Sequence, residues 1–337
     1  MKISKTEDVI QIKIDVPFDV NFVYVYLLNI NSKYVLFDAG LKMGDWPKKF
    51  FSALEKVNIE PQEISHCIIS HSHMDHIGLI GDLRQKNPNI NVVMHEITNE
   101  KMRWETNPDN YSKLKEEAKL LTSRLRKFGL NRKQGEKLIQ YFLKWPKLKE
   151  YHKADIIVQD GENLSIGEDS LRIIWTPGHA LGHICTFEGK RGYLFAGDHI
   201  LSRITPHIGN FIINESVRKK YSNFDFENIL HLYLNSLERI QKLDPTIIYP
   251  AHQEVIYNPS KRINAIKEHH QKRLQEISEA INDMPKTPFE ISKIHFGDLD
   301  DVNSFLALSE VLGHLIYLEK QGKVQRLEKN NKILFKS

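Results

Sequence analysis

Cysteine is scarce in this chain: there are two, Cys67 and Cys185, in 337 residues. Each lies inside a short apolar run, so both are expected to be small buried hydrophobes. A disulfide would be unusual in so cysteine-poor a chain, which suggests a reducing compartment and a cytoplasmic location. Long hydrophobic runs are missing too. No stretch approaches the roughly 18 consecutive apolar residues of a membrane span, and residues 1–8 lack the apolar segment of a signal peptide. Neither charge sign dominates: 47 Lys+Arg stand against 43 Asp+Glu, for a formal net charge of +4. That balance alone gives no reason to expect a nucleic-acid partner. There are no internal repeats and no low-complexity segments. Hydrophobic residues at 41% and charged residues at 27% leave material for a core beneath a solvated surface.

Histidine, in contrast, is plentiful at 16 residues, and its placement is uneven. The run His71-Ser72-His73-Met74-Asp75-His76-Ile77-Gly78 puts three imidazoles and one carboxylate within six residues. It follows an apolar stretch, residues 66–70, that reads as a buried strand. A hydrophobic core does not want four such side chains and a solvated surface gains little from them, whereas a metal site wants them.

The first half alternates short strands with turns. Strands are expected at residues 9–15, 22–28, 33–38, 65–70 and 90–95, and a helix at 46–57 with Asp45 as its cap and Pro47 in its first turn. From about 98 to 153 the chain is rich in Lys, Glu, Leu and Arg, which predicts helices at 112–128 and 132–147. Strands resume at 155–158, 171–176, 184–187, 193–196 and 246–249, with a helix at 226–243. Beyond residue 259 long amphipathic helices are expected at 261–282 and 301–321, the latter closed by Gly322. A short helix at 289–294 lies between them, and a hairpin around Asn330-Asn331 ends the chain.

Three further residues sit where the first four do, at the end of an apolar strand. Thr176-Pro177-Gly178-His179 closes one, Gly197-Asp198 a second and Pro250-Ala251-His252 a third. The candidate set is therefore His71, His73, Asp75, His76, His179, Asp198 and His252. Seven donors exceed the four of one tetrahedral zinc. They suit two metals that share a carboxylate and activate a bridging water. Histidine and carboxylate donors fit zinc best, with iron or manganese as alternatives.

The order H-x-H-x-D-H, T-P-G-H, G-D, P-x-H resembles the metallo-β-lactamase-fold hydrolase superfamily, and Asp38-Ala39-Gly40 resembles its D-x-G turn. The likeness runs over about three quarters of the chain, from Val9 to Ile256, and points to the glyoxalase II-like or β-lactamase-like protein branch. It implies an α/β fold: a four-layer αββα sandwich over residues 1–258, interrupted by the helical insertion at about 98–153. Residues 259–337 resemble the small C-terminal winged-helix-like domain found in such proteins. Carried over by position, His71, His73 and His179 would hold one metal, Asp75, His76 and His252 the other, and Asp198 would bridge them. Asp75 would also relay a proton. The last motif departs from the usual P-G-H-G, because here it reads Pro250-Ala251-His252-Gln253, which leaves a different loop conformation open.

The resemblance implies a dinuclear metal-dependent hydrolase in which a metal-bridging hydroxide attacks an ester-like bond, a thioester or a lactone. The substrate is expected to be a small molecule, anionic if the basic residues of the insertion form a lid. His199, Arg203 and His207 are the candidate substrate contacts, and His183 is expected to be structural. The winged module and basic insertion raise a single-strand-specific endoribonuclease as an alternative, which the near-neutral composition disfavours. A third reading is a non-catalytic ligand sensor on the same scaffold. The long C-terminal helices are expected to meet a partner, form a homodimer interface or cap the active site.

Overall fold

The computed structural model describes residues 1–6, 8–17, 20–209, 215–281 and 284–337. Contacts divide the chain into two units. The first comprises Met1–Arg103, Lys149–Pro206 and Glu238–Ile263. The second comprises Trp104–Leu148, His207–Leu237 and Asn264–Ser337.

The first unit contains two sheets. One has seven strands in sequence order, β1 (Lys2–Lys5), β2 (Val9–Asp15), β3 (Phe22–Ile30), β4 (Lys33–Phe37), β5 (Ile64–Ile69), β6 (Asn91–His95) and β7 (Ile156–Val158). Strands β1 to β4 pair antiparallel, and β4 to β7 pair parallel. The other sheet has five strands, β8 (Asn163–Ile166), β9 (Asp169–Trp175), β10 (Ile184–Glu188), β11 (Tyr193–Gly197) and β12 (Ile247–Pro250), in the order β12-β11-β10-β9-β8. Only β11 and β12 run parallel there.

The two-residue period of a strand decides which core each side chain joins. In β3, Val23, Val25 and Leu27 face one cluster, while Tyr26, Leu28 and Ile30 face another. Val92 and Met94 of β6 join the first cluster, and Val93 joins the second. The first cluster is completed by Phe50, Ala53 and Leu54 of the helix Trp46–Lys56 and by Ile80 and Leu83 of the helix Ile80–Lys86. The second is completed by Leu171, Ile173, Ile184, Phe195 and Tyr249 of the other sheet. One sheet face is thus covered by helices and the opposite face by the second sheet. Burying each Leu, Ile or Val contributes about 1.5–3 kcal/mol. On the second sheet, Arg239 of the helix Ile229–Lys242 donates to the Trp175 carbonyl at 3.2 Å and to Asp160 at 2.6 Å. The layer order is the αββα sandwich the sequence implied.

Both cysteines are buried thiols, and burial pushes each pKa up, Cys185 to about 12. Asp45 does not cap its helix. Its φ of −92° and ψ of 12° keep the carboxylate from the first-turn amides, and it pairs instead with Lys49 at 2.9 Å.

In the second unit, Tyr111–Lys127 and Arg132–Lys144 are helices. Asn131 and Gln134 exchange side-chain-to-backbone hydrogen bonds at the start of the latter, a capping box. Later helices cover Pro259–Glu279, which belongs to this unit from Asn264 on, Pro288–Phe296 and Asp301–Lys320. The first of these was expected to reach residue 282, which lies outside the described residues. Gly322, at φ +71°, closes the last helix. The chain then forms the antiparallel pair β13 (Gln325–Lys329) and β14 (Lys332–Lys336). Asn330 and Asn331 turn it with φ of +50° and +57°, the left-handed pair that a two-residue hairpin requires. Among the described residues no helix is long and apolar enough to cross a membrane.

Candidate metal centre

Four strand ends of the first unit meet at one place. The H-x-H-x-D-H run leaves β5, His179 follows β9, Asp198 follows β11 and His252 follows β12. The donor atoms of His71, His73, His179 and Asp198 lie within 4.8 Å of one another, as do those of Asp75, His76 and His252. All seven predicted ligands are thus brought together, in two groups.

Backbone holds the run in place. In the D-x-G turn after β4, Asp38 and Gly40 adopt φ of +61° and +57°. The Ala39 amide donates to the His76 carbonyl at 2.7 Å, the Gly78 amide to Gly40 at 2.7 Å and the Leu79 amide to Ala39 at 2.9 Å. These chains approach so closely that a Cβ on Gly78 would stand 2.2 Å from the Lys42 nitrogen. Backbone cannot yield as a flexible side chain can. Gly78→Ala is expected to destabilise the protein by about 3 kcal/mol or more, read as a shift of the urea midpoint; an unshifted midpoint would show that the turn is not held this tightly.

The hydrogen bonds behind the imidazoles fix their tautomers. Asp38 Oδ1 accepts from the Ser70 amide at 2.7 Å, and Oδ2 accepts from Ser70 Oγ at 2.9 Å and from His76 Nδ1 at 2.8 Å. Because the Ser70 hydroxyl proton is directed to Asp38, its oxygen accepts from His71 Nδ1 at 2.9 Å. His252 Nδ1 donates to the Phe22 carbonyl at 2.5 Å. His71, His76 and His252 therefore carry a proton on Nδ1 and turn Nε2 toward the site, as metal-binding histidines do. Tyr26 adds a brace: its hydroxyl donates to the Pro250 carbonyl at 2.6 Å, two residues before His252.

His73 presents Nδ1, which stands 2.9 Å from Nε2 of both His71 and His179. One ring nitrogen cannot satisfy two others with a single proton, so a cation suits the three lone pairs better. His76 Nε2 and Asp198 Oδ1 are likewise buried with no hydrogen-bond partner. Asp198 spans the two groups. Its Oδ2 lies 3.4 Å from His179 Nε2 and 4.0 Å from His71 Nε2, and its Oδ1 lies 3.3 Å from His252 Nε2. Asp75 Oδ2 is 3.4 Å from His252 Nε2.

Charge follows the same pattern. Burial and the neighbouring imidazoles hold His71 and His73 well below the usual histidine value, so both are neutral. Burial alone would raise Asp198 and Asp75, but His252 and His76 outweigh it and keep both carboxyls ionised. Burial would lower His76, but Asp38, Asp198 and Asp75 outweigh it and raise it well above its usual value. Asp198, opposing burial in the same way, raises His252 to about 10. The carboxylates thus demand positive charge, met in the metal-free protein by protonated His76 and His252 beside neutral His71 and His73, and divalent cations would take the place of those protons.

His183 lies behind this set. Its Nε2 accepts from the Asp198 amide at 3.1 Å, so its Nδ1 carries the proton and donates to Thr176 Oγ1 at 2.8 Å. It fixes the backbone that presents Asp198. The three candidate substrate contacts are scattered. His199 is fully buried, with its ring 5.8 Å from that of His183. Arg203 is exposed and paired with Glu254. His207 belongs to the second unit, where its Nε2 meets Ser309 Oγ at 2.9 Å.

The sequence profile of the metallo-beta-lactamase superfamily matches residues 18–252, and that of the metallo-beta-lactamase-like C-terminal domain matches 274–336. The probable metallo-hydrolase YqjP of Bacillus subtilis is 26% identical over 334 residues, 98% of each chain. The beta-lactamase-like protein 2 homolog of Caenorhabditis elegans is 24% identical over 92% of this chain and 82% of its own. Among solved structures, the metallo-beta-lactamase family protein TTHA1429 of Thermus thermophilus superposes with a TM-score of 0.74 at 25% identity, covering 98% of this chain and 99% of that one. A beta-lactamase domain protein from Burkholderia ambifaria reaches 0.77 at 22% identity, covering 98% and 92%, a likeness of fold.

Proposed function

The chain belongs to the metallo-beta-lactamase superfamily, and from that premise we propose that this metal-dependent hydrolase works with two divalent ions on an ester-like carbonyl, that of a thioester or a lactone. The position of Asp198 carries the proposal, because its carboxylate reaches both donor groups: Oδ2 lies 3.4 Å from His179 and 3.6 Å from His76, and Oδ1 lies 3.3 Å from His252. His71, His73 and His179 would hold one ion, and Asp75, His76 and His252 the other, with Asp198 common to both. Zinc suits these donors best, and iron or manganese also fit. Bound there, such a pair supplies Lewis-acid polarisation of the carbonyl and a water acidic enough to ionise near neutral pH.

The chain's own residues do the rest. The Nδ1 hydrogen bonds of His71, His76 and His252 keep their Nε2 lone pairs aimed inward, so little reorganisation is needed during reaction. Asp75, ionised and facing His252 and His76, takes the proton that the attacking water gives up and passes it to the leaving oxygen or sulfur. Lys101 and Lys149, both half-buried, act on His73 from nearby. They suit a substrate that carries negative charge at a distance from its carbonyl.

The test is turnover of thioesters, lactones, simple esters and single-stranded RNA by zinc-loaded protein whose metal content has been measured. Two ions per chain and hydrolysis of the ester-like substrates alone are expected, with activity lost to a chelator and regained with zinc. Cleavage of RNA instead would favour the nuclease reading. Two bound ions without turnover of any substrate would favour a sensor.

A further inference from the structure

Gln253 follows the ligand His252 directly and sits at φ +67°. That left-handed region is open to glycine and strained for a residue with a Cβ. Strain of this kind persists where the surroundings impose it, and the side chain shows what they gain. Gln253 Oε1 accepts from the Arg203 amide at 2.7 Å, and the Ile204 amide and the Ser202 hydroxyl lie 3.4 Å from it. The next residue joins in. The Glu254 amide donates to Ser202 Oγ at 3.2 Å, Ser202 Oγ donates to Glu254 Oε2 at 3.0 Å, and the Glu254 carboxylate pairs with Arg203.

From the other side, Arg262 takes hold of the same segment. Its Nε donates to the Leu201 carbonyl at 2.5 Å and its Nη2 to the Ile204 carbonyl at 2.6 Å. Residues 201–204 are thus held by amide and by carbonyl, three residues beyond Asp198. The strands that deliver Asp198 and His252 run side by side and parallel, in register at Gly197 and Pro250. Past that point their ladder ends, and the last rung is the Ala251 amide on the Gly197 carbonyl at 2.9 Å. Two loops leaving parallel strands have no further ladder to keep them together.

We propose that Gln253 is a positioning residue of the metal centre: its carboxamide clasps the loop after Asp198 to the loop after His252, and so fixes the spacing of two ligands that face each other at 3.3 Å. This rests on reading those residues as ligands. Glycine would meet the backbone requirement without strain but would leave the Arg203 amide without its acceptor. The side chain, not the turn, is what the position needs.

Gln253→Gly and Gln253→Ala separate the two. Both remove the clasp, and only glycine relieves the strain. Zinc affinity, measured by competition with a chromogenic chelator, is expected to fall about tenfold or more in both variants. Amide exchange at Arg203 and Ile204 in metal-free protein should quicken in both. Gln253→Glu, which keeps an acceptor, should restore most of the exchange protection. Zinc affinity in Gln253→Gly equal to that of the unaltered protein would overturn the positioning role while leaving the metal centre intact. An unaltered protein that takes up no zinc would overturn both readings.

Discussion

Asp198→Asn is expected to lower turnover by more than a thousandfold, about 4 kcal/mol of transition-state stabilisation, and to leave the protein with at most one ion per chain. The substitution keeps the shape of the side chain and removes its charge. Its carboxylate oxygens face His179 at 3.4 Å and His252 at 3.3 Å, and an amide offers an acceptor to one of these groups and a donor to the other. Whichever way the amide turns, either His252 or the set of His71, His76 and His179 loses a carboxylate oxygen and meets N–H hydrogens instead. The metal-free protein should also lose stability near neutral pH, because His252 and His76 outweigh the burial penalty and hold Asp198 ionised, and the variant leaves those imidazoles without their counter-charge. Metal content by elemental analysis and the thermal midpoint of stripped protein check the two halves separately. Two tightly held ions and near-normal turnover in Asp198→Asn would sink the shared-carboxylate reading.

Asp38→Asn should have the next largest effect, although Asp38 touches no metal in the proposed arrangement. Its carboxylate is buried and accepts from the Ser70 amide, the Ser70 hydroxyl and His76 Nδ1. Asparagine tolerates the left-handed backbone at φ +61°, so conformation does not confound the comparison. One oxygen of the new amide can still accept from the Ser70 backbone. Its nitrogen then confronts the His76 Nδ1 proton, donor against donor. His76 escapes by moving that proton to Nε2, which is the atom it would offer to metal. Affinity for the ion held by Asp75, His76 and His252 should fall about 10–100-fold, and the metal-free protein should lose about 1–3 kcal/mol. A chelator titration resolves the two ions, and unaltered affinity for both would refute this role for Asp38.

The candidate ligands were legible because each follows a strand whose apolar run is itself legible, so seven polar residues stood out against their contexts. What lay behind them was not. Asp38 and His76 are 38 positions apart, and their hydrogen bond depends on β4 and β5 being parallel neighbours. His183 carries no mark in the sequence of the tautomer that makes it an acceptor for Asp198. Strand β1 escaped notice because Lys-Ile-Ser-Lys at an exposed edge has no apolar run, and β8 because its two apolar residues, Leu164 and Ile166, are separated by an exposed serine and form no continuous run. The helix Ile80–Lys86 hides for a similar reason, being seven residues long with glycine in its first turn. The hairpin at Asn330-Asn331, in contrast, was plain, since few residue pairs accept two successive left-handed positions.

His71, His73, Asp75 and His76 follow a strand of the seven-stranded sheet, whereas His179, Asp198 and His252 follow strands of the five-stranded one. The seven donors therefore exist as a set only while the two sheets are stacked, and an unfolded chain scatters them. A cation that binds the set binds the native state alone, so folding and metal uptake are one linked equilibrium. Free zinc at a hundred times its dissociation constant would add about 2.7 kcal/mol per site to the folding free energy. The amount of folded protein would then depend on metal supply as well as on sequence, and scarcity would thin the population of intact molecules before it slowed any one of them.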